Sequence, residues 1–486
     1  MKELKRGLGL FGTTIIGVGT IVGAGIYVLL GKAVGLTGPS AWLSFIIAAI
    51  LALFTGLSYA ELSSMFAKDA SEYYYVKKAF KSKALAFLTG WICILEGILG
   101  SAAVAIGFSG YVNYMFGTPV LITAFIIVIL LSLINYIGIR KSAFTETIFT
   151  FAALLGLLII IYAGSQNFGS VNYLETLNGF KGIFKASALI FFAYIGFQTI
   201  VRLSEETREP KKTVPKAILL SLLISTLLYI GVAIAGVSIL STEELSASSA
   251  PLSDIILTGL GTNISMIVAI LAIFATLSTV LALLITTSRL MYGMAKEHSL
   301  PESIRKINPI TKTPGVAVLL TGLGALFFVM FRDIELIASM VNFTVFLAFI
   351  LVNLSLIFLR ISYPNVKRPF KVPINIRNVP LLAIFSIIIC SIFLLQFSIE
   401  VLIGTSILVI FGALIYEVIS KEKNLEKGII DPYRLASLIM SLVIFIIGAF
   451  ILTGGFLSSQ FWWTGILWIM LGLSLFWYTY SIIFRE

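Results

Sequence analysis

The stretch "VGTIVGAGIYVLLG" (residues 18–31) lies inside the first long apolar run of the chain, and four of its fourteen residues are glycine. Glycine inside a helix is destabilising by about 0.5–1 kcal/mol relative to alanine, so a chain that needed one continuous helix would avoid it. The pattern therefore predicts that the first apolar helix is interrupted here. An interruption exposes backbone N–H and C=O groups, to which a small molecule can bind.

The composition assigns the chain to a membrane. Of its 486 residues, 59% are hydrophobic and only 12% are charged, and the mean hydropathy is +1.05. A soluble domain carries about 25% charged residues. The composition therefore predicts an all-α integral membrane protein.

Apolar runs of about 18 residues or more, long enough to cross a hydrocarbon core of roughly 30 Å, recur along the whole chain. We predict fourteen spans, which begin near residues 10, 41, 84, 119, 145, 184, 215, 263, 315, 335, 379, 400, 434 and 461. The first run is full-length and many more follow it, so it is expected to be an uncleaved span and not a signal peptide.

The basic residues alternate between the connections in the way that cytoplasmic loops require. With both termini in the cytoplasm, only four of the 34 Lys and Arg residues fall on the outer side of the cell membrane: Lys32, Lys181, Lys185 and Arg332. The charge is spread over separate short loops, so it favours anionic lipid over nucleic acid. Cys93 and Cys390 have no ligand spacing and are expected to be small core residues.

A second interruption is predicted in the sixth run, where "FFAYIGFQ" (residues 191–198) places a glycine among bulky residues. Spans one and six are antiparallel, as in inverted repeats of five helices that each open with a discontinuous helix. We therefore expect an inverted 5+5 transport core in residues 1–362 and four further helices in residues 363–486.

The two interruptions together suggest a binding site for an α-amino acid. N–H groups at Gly23, Ala24 and Gly25, at the positive end of a half-helix, can hold a carboxylate. Carbonyl groups near Ile21, Phe192 and Ile195 can accept hydrogen bonds from an ammonium group. The alternative is that Gly19 and Gly23 only permit close helix packing.

Glu96 lies near the middle of the third span, where an ionisable side chain is a functional candidate by default. It could select a cationic substrate or carry a proton, or it could simply tie helices together. Glu61, near the end of the second span, is expected to be a structural or gate contact. Arg202, Glu205 and Glu206 share one helix face, as an inner gate or as a local ion pair.

Other polar and aromatic residues are candidates for ion coupling or gating. A sodium ion could bind Ser278 and Thr279 together with carbonyls near Gly17 and Thr20, although such hydroxyls also serve helix packing. Tyr27, Tyr194 and Phe197 could line or cover the pocket, although membrane aromatics are more often packing residues.

Four stretches resemble the amino acid–polyamine–organocation superfamily, within it the branch of cationic amino acid transporters and their prokaryotic relatives. They are "VGAGIYVLLGKAVGLTGPSAWLSFIIAAILALFTGLSYAEL" (22–62), "GWICILE" (90–96), "FFAYIGFQTIVRLSEETREPKKTVPKAI" (191–218) and "SRLMYGMAKEHSLPESIRKINPITKTPGVAV" (288–318). The resemblance implies a secondary transporter with alternating access and no bound cofactor. It also implies that the substrate carboxylate lies on broken helix one, the ammonium group at helices one and six, and the side chain toward helices three, six, eight and ten.

The chain departs from that family pattern at three positions. Ala24 replaces a threonine or serine, and Gln198 stands where relatives commonly have an acid. The fifth span has no lysine, with Ala153 near the position where proton-coupled relatives carry one. Proton coupling through such a lysine is therefore not supported.

The sequence thus favours a permease for cationic or small neutral amino acids, coupled to sodium or protons or working by exchange. A membrane amino acid sensor or an amine or polyamine exchanger would use the same site. The chain has no HExxH, GxSxG or Walker motif and a single histidine, so no enzyme is expected. The sequence does not indicate an oligomeric state.

Overall fold

The computed structural model describes residues 9–66, 71–138, 143–202 and 207–422. The spans predicted to begin near 434 and 461 therefore lie outside the described residues. Within them the helices are joined by loops and by one short hairpin, in which Asn375–Ile376 (β1) pairs antiparallel with Val379–Pro380 (β2).

Eighteen α-helices are present in the described part of the chain. In order, they are α1 Leu10–Ile21, α2 Ala24–Thr37, α3 Ala41–Met65, α4 Ser71–Phe80, α5 Lys83–Phe116, α6 Val120–Ile137, α7 Ala143–Ser165, α8 Gly179–Ile190, α9 Phe197–Arg202, α10 Pro210–Ile239, α11 Thr242–Ala247, α12 Pro251–Leu260, α13 Thr262–Lys296, α14 Glu302–Arg305, α15 Gly315–Val329, α16 Ile334–Ser362, α17 Leu381–Leu394 and α18 Ile399–Glu422. Short 3₁₀ turns join some of them, at Gly38–Ser40 and at Phe191–Tyr194.

Eight helical segments of the described residues are long and apolar enough to cross a membrane. The multi-pass membrane prediction is confirmed at this level. A helix also begins within about five residues of each of the first twelve predicted starts. The count of eight is lower because some of these helices are short: α15 has 15 residues and α17 has 14. At 1.5 Å per residue, neither spans roughly 30 Å by itself.

The helical path is interrupted between α1 and α2. The Val22 N–H still donates to the Val18 carbonyl at 2.6 Å, but the Gly23 N–H turns to the Ile21 carbonyl at 2.7 Å, and α2 starts at Ala24. A second interruption follows α8, where the 3₁₀ turn leads into an extended Ile195. Gly196 then adopts φ +129°, which only glycine tolerates readily. A Cβ atom on Gly196 would also collide with the Thr20 carbonyl.

The helix α5 lies in the centre of the bundle and brings Glu96 into it. Within its most apolar 18-residue window, 89% of the residues are buried, against 28–67% for the other candidate spans. It packs against α13 and α16, while α1 packs against α7, α9 and α10. The two interruptions and α5 therefore meet inside the protein and not at its lipid-facing surface.

A buried ionic cluster joins α3, α16 and the segment that follows α16. Glu61 is fully buried and accepts hydrogen bonds from the Arg360 guanidinium and from the Val372 N–H, the latter at 2.7 Å. The Arg368 Nε lies 3.3 Å from the same carboxylate. The cluster therefore links residues on both sides of the predicted boundary at 362, and Glu61 has a structural contact as expected.

Candidate functional site

A cavity of about 180 Å³ opens between the two interruptions and the helices α5, α7 and α13. Its walls carry backbone from both interruptions and several hydroxyl groups, which is unusual inside so apolar a protein. It is lined by Gly19, Thr20, Ile21, Val22, Gly23, Ala24, Gly25, Cys93, Glu96, Gly97, Gly100, Phe149, Thr150, Ala153, Phe192, Ile195, Gly196, Gln198, Ala275, Ser278, Thr279, Ala282, Leu283, Thr286, Thr287, Leu290 and Val341.

The N-terminus of α2 faces this cavity without a side-chain cap. Its N-cap residue is Gly23, and no side chain accepts a hydrogen bond there. The first N–H groups of any α-helix have no partner within the helix, so those of Ala24 and Gly25 are positioned to bind an anion. Glycine is required at 25, because a Cβ atom there would lie 2.9 Å from the Ala193 nitrogen and closer still to the Ala193 Cα.

The carbonyl group of Ile21, predicted to accept an ammonium group, already accepts two hydrogen bonds within the protein. It accepts the Gly23 N–H at 2.7 Å and the Tyr229 hydroxyl at 2.8 Å, which together use both oxygen lone pairs. The Tyr229 hydroxyl also lies 2.9 Å from the Ala193 carbonyl and so ties the two interruptions together. Ile21 therefore lines the cavity without offering a free acceptor, whereas Phe192 and Ile195 line it from the other side.

Glu96 projects from α5 into the cavity and is linked to the second interruption. The Gln198 side-chain nitrogen donates to the Glu96 carboxylate at 3.1 Å, and the Gln198 side-chain oxygen accepts the Gly196 N–H at 3.1 Å. Gln198 thus bridges a carboxylate and an interrupted backbone. Glu96 is the single carboxylate among the residues that line this cavity, and no lysine or arginine of the described residues lines it.

Three predicted aromatic residues do not line the cavity. Phe197 is fully buried against Tyr59 and Phe349, with ring centroids 5.8 and 5.6 Å apart. The hydroxyl groups of the two tyrosines donate to backbone carbonyls, Tyr27 to Ala153 at 2.6 Å and Tyr194 to Phe45 at 3.0 Å. All three side chains are fully buried and absent from the cavity lining, so in this conformation they act as packing residues.

The predicted ion-binding residues are only partly brought together. Thr20, Ser278 and Thr279 line the cavity, but Gly17 does not, and its carbonyl accepts the Thr20 hydroxyl at 2.9 Å. The Thr279 hydroxyl lies beside Gly23 and donates to the Ala275 carbonyl at 2.9 Å.

The predicted inner gate lies largely outside the described residues, which exclude Glu205, Glu206 and the Arg202 side chain.

Sequence reasoning missed several cavity residues and contacts. Thr150 and Cys93 lie in the cavity wall. The Tyr229 hydroxyl contacts backbone carbonyls of both interruptions, although Tyr229 itself does not line the cavity. A signal for one contact was present: Gly97 follows Glu96 directly, and a Cβ atom there would collide with the side chain of Thr287. A glycine next to an intramembrane carboxylate thus marked a place where α5 and α13 pack closely.

Together these features define a multi-pass membrane protein with a cavity buried at two helix interruptions. A profile of the amino acid permease family matches residues 8–406. The chain belongs to this family, which is part of the amino acid–polyamine–organocation superfamily, and the predicted resemblance is confirmed.

Individual relatives of known name are transporters. The branched-chain amino acid permease BcaP of Bacillus subtilis (strain 168) is 31% identical over 446 residues, which cover 87% of this chain and 95% of the relative. The methylthioribose transporter of the same organism is 29% identical, with the same coverage of 87% and 95%. Cationic amino acid transporter 4 of Homo sapiens is 31% identical over 74% of this chain and 60% of the relative.

Proposed function

We propose that this protein is a secondary active transporter of amino acids in the cell membrane and works by alternating access. In this proposal the interruptions after α1 and α8 are the discontinuous helices of an inverted 5+5 repeat. The observation that carries it is the uncapped N-terminus of α2 facing the same cavity as the Glu96 carboxylate. The helix N-terminus and the carbonyl groups of the second interruption suit the two charges of a zwitterion, and Glu96 is left for the substrate side chain.

The α-carboxylate of the substrate would bind the N–H groups of Ala24 and Gly25. The Ile21 carbonyl already accepts two hydrogen bonds, whereas the Phe192 carbonyl accepts one, from the Ile195 N–H at 3.3 Å. The α-amino group is therefore assigned to the carbonyls of Phe192 and Ile195. Since Ala24 offers no hydroxyl, carboxylate binding relies on backbone groups alone. The substrate side chain would extend toward Glu96 on α5 and Val341 on α16, and both cationic and small neutral side chains are compatible with these walls.

A coupling ion would bind near Thr20, Ser278 and Thr279, which share the cavity wall. This assignment depends on oxygen ligands alone, because sodium prefers oxygen and the three hydroxyls lie close to interrupted backbone. Dependence of uptake on a sodium gradient, compared with dependence on a proton gradient of equal size, tests this assignment.

An amine or polyamine exchanger is the second candidate function, because Glu96 would also attract a cation that lacks a carboxylate.

Counterflow in proteoliposomes tests the proposal. Vesicles are loaded with one unlabelled amino acid at a time, and entry of the same labelled amino acid is followed without an ion gradient. We expect accumulation of one class of amino acids and its loss in Gly25→Ala, because the added methyl group collides with Ala193. Gly293→Ala is the matched control, since nothing lies within 4 Å of a Cβ atom at 293.

The result also separates the candidate functions. Accumulation of amines without a carboxylate, unaffected by Gly25→Ala, would favour the exchanger. Binding of amino acids by the purified protein without any counterflow would instead identify a membrane sensor.

A further inference from the structure

A second pocket, of about 580 Å³, lies at the end of the bundle where α3, α5 and α16 meet the short helix α4. Four lysines surround it: Lys77 and Lys78 from α4, Lys81 from the connection, and Lys83 at the first turn of α5. Its floor is apolar and aromatic and consists of Met65, Phe66, Tyr74, Leu359, Tyr363 and Val366. We refer to these ten residues as the lysine pocket.

The positive charge of the lysine pocket is not balanced within the described residues. Lys77 pairs with Glu297 at 2.9 Å. Lys78, Lys81 and Lys83 have no carboxylate within 4.0 Å among those residues, and the Lys78 ammonium group lies only over the Tyr74 ring, at 5.5 Å. The nearby Glu61 carboxylate is already bound by Arg360 and Arg368.

The start of α5 adds to this positive potential. Its N-cap, Ser82, accepts the Leu85 N–H at 3.1 Å, but the first turn contains no acidic residue and begins with Lys83. Helix N-termini favour anions, and a lysine there is unfavourable unless an anion lies nearby. The backbone dipole and the lysines therefore favour the same type of ligand.

The position of the pocket indicates where that anion comes from. The apolar helices α3 and α16 end beside it and α5 begins there, so it lies at the boundary between hydrocarbon and water. Tyrosines such as Tyr74 and Tyr363 are typical of that boundary. Its apolar floor suits the glycerol and upper acyl region of a lipid, which a free phosphate ion does not have.

We propose that the lysine pocket binds the phosphate headgroup of an anionic phospholipid from the adjoining leaflet. Lys78, Lys81 and Lys83 contact the phosphate, while floor residues such as Phe66 and Leu359 contact the acyl chains. Because α4 packs against α5 and α16, a bound lipid would stabilise the arrangement of these helices. Lipid binding at the lysine pocket requires the membrane location and this fold, but no particular transport substrate.

Thermal unfolding of the purified full chain in a neutral detergent tests the proposal. The probe is dioctanoyl phosphatidylglycerol, compared with dioctanoyl phosphatidylcholine and with inorganic phosphate. We expect phosphatidylglycerol alone to raise the apparent Tm in a saturable manner. In Lys78→Gln/Lys81→Gln/Lys83→Gln, the concentration needed should rise about tenfold or more, because three attractive charges are lost.

The matched control is Lys211→Gln/Lys212→Gln/Lys216→Gln, which removes the same charge from exposed lysines of α10 outside the pocket. It should respond to phosphatidylglycerol as the unaltered protein does. An equal loss in this control would show a general charge effect and overturn the proposal, as would an unchanged response in the pocket variant. Equal stabilisation by inorganic phosphate would show that the pocket binds a free anion, and it would contradict the proposal of a lipid site. If the pocket variant does not fold, Lys78→Arg/Lys81→Arg/Lys83→Arg should retain the response and Lys81→Gln should weaken it.

Discussion

At the scale of single residues, the proposed recognition of substrate depends on Glu96 and Gln198, which are joined by a hydrogen bond in the cavity wall. Gln198 uses both ends of its amide, one on Glu96 and one on the Gly196 N–H. An acid at 198 could not donate in its ionised form, so it would repel the carboxylate that glutamine holds in place. The departure from the family pattern at this position therefore has a local consequence: it keeps Glu96 oriented as an acceptor.

The first residue-scale prediction concerns Glu96→Gln. Hydrogen bonds to charged groups contribute about 1.5–3 kcal/mol, so we expect the apparent affinity for a cationic amino acid to fall by tenfold or more. The affinity for a neutral amino acid should change much less. Competition of labelled substrate uptake by lysine, arginine, alanine and leucine measures the difference.

Gln198→Leu is the companion variant, because it keeps the Glu96 charge and removes its hydrogen-bond partner. It should weaken cationic and neutral substrates to a similar extent, since it releases the Gly196 segment as well as Glu96. An equal loss for both substrate classes in Glu96→Gln would contradict the assigned selectivity role and leave Glu96 as a helix-tying group.

At the scale of secondary-structure elements, the Glu61 cluster fixes the ends of α3 and α16 to the segment around Val372. Removing one member of a buried ion pair leaves an uncompensated charge and destabilises a protein by about 3–5 kcal/mol. We expect Glu61→Gln and Arg360→Met each to lower the apparent Tm strongly. The double variant should be less destabilised than the sum of the two, because neither Glu61 nor Arg360 then keeps a buried charge that has lost the other as its partner.

Thermal unfolding of the unaltered protein, the two single variants and the double variant in detergent completes a double-mutant cycle for Glu61 and Arg360. Arg368 remains near residue 61 in every case, 3.3 Å from the carboxylate in the unaltered protein, so some coupling to it is expected to persist in Arg360→Met. Strict additivity of the two losses would show that the pair contributes no coupling. Lys212→Gln breaks an exposed pair with Glu209 and is the control that should change little.

The contact between α4 and the end of α13 predicts a pH dependence. The hydrogen bond from Lys77 holds the pKa of Glu297 below its ordinary value, and partial burial opposes this only in part. For Lys77, burial lowers the pKa, but the hydrogen bond to Glu297 and the electrostatic interactions with Tyr73 and Glu297 outweigh this effect, so the net shift of the pKa is upward.

The sign of both shifts places the stabilisation at intermediate pH. A lowered Glu pKa stabilises above the unfolded value, about 4.3, and the effect is lost as pH falls through the folded value. A raised Lys pKa stabilises below about 10.4 and is lost as pH rises through the folded value. For this partly exposed pair we expect about 0.2–1 kcal/mol between pH 6 and 9. The Tm difference between the unaltered protein and Glu297→Gln should therefore shrink toward pH 3, and a constant difference would contradict the assignment.

The helices themselves were predictable because hydropathy and length act locally. Each of the first twelve predicted starts has a helix nearby, and the glycine-rich residues 18–31 contain the point where α1 ends and α2 begins. The cavity was less predictable. Tyr27, Tyr194 and Phe197 point into packed helices, and the Ile21 carbonyl is bound by Tyr229, 208 residues away along the chain. Side-chain direction and long-range pairing depend on how helices pack, which the apolar pattern of one span does not encode.

At the scale of the whole molecule, one scaffold supports several substrates. The relatives at about 30% identity are named for branched-chain amino acids, cationic amino acids and methylthioribose. Since fold does not determine function, the differences are expected in the cavity walls. In the proposed site the helix interruptions would bind the polar groups of the substrate, and we expect specificity to depend on wall residues such as Glu96, Gln198 and Thr287.

The proposed alternating access predicts that a residue in the cavity can be reached from both faces of the membrane. Cys93 is 7% exposed and lines the cavity, whereas Cys390 in α17 is fully buried. A transporter that opens to each side in turn should let a small, membrane-impermeant thiol reagent reach Cys93 from either face of a proteoliposome and block transport. Saturating substrate should slow the modification, because it occupies the same space.

Cys93→Ala and Cys390→Ala are the matched variants for this experiment. Cys93→Ala should make transport resistant to the reagent from both faces, and Cys390→Ala should remain as sensitive as the unaltered protein. Modification from one face only, with transport intact in other respects, would mean that the cavity opens permanently to a single side. That result would contradict alternating access while leaving the binding site in place, because the α2 N-terminus and Glu96 would still face the same cavity.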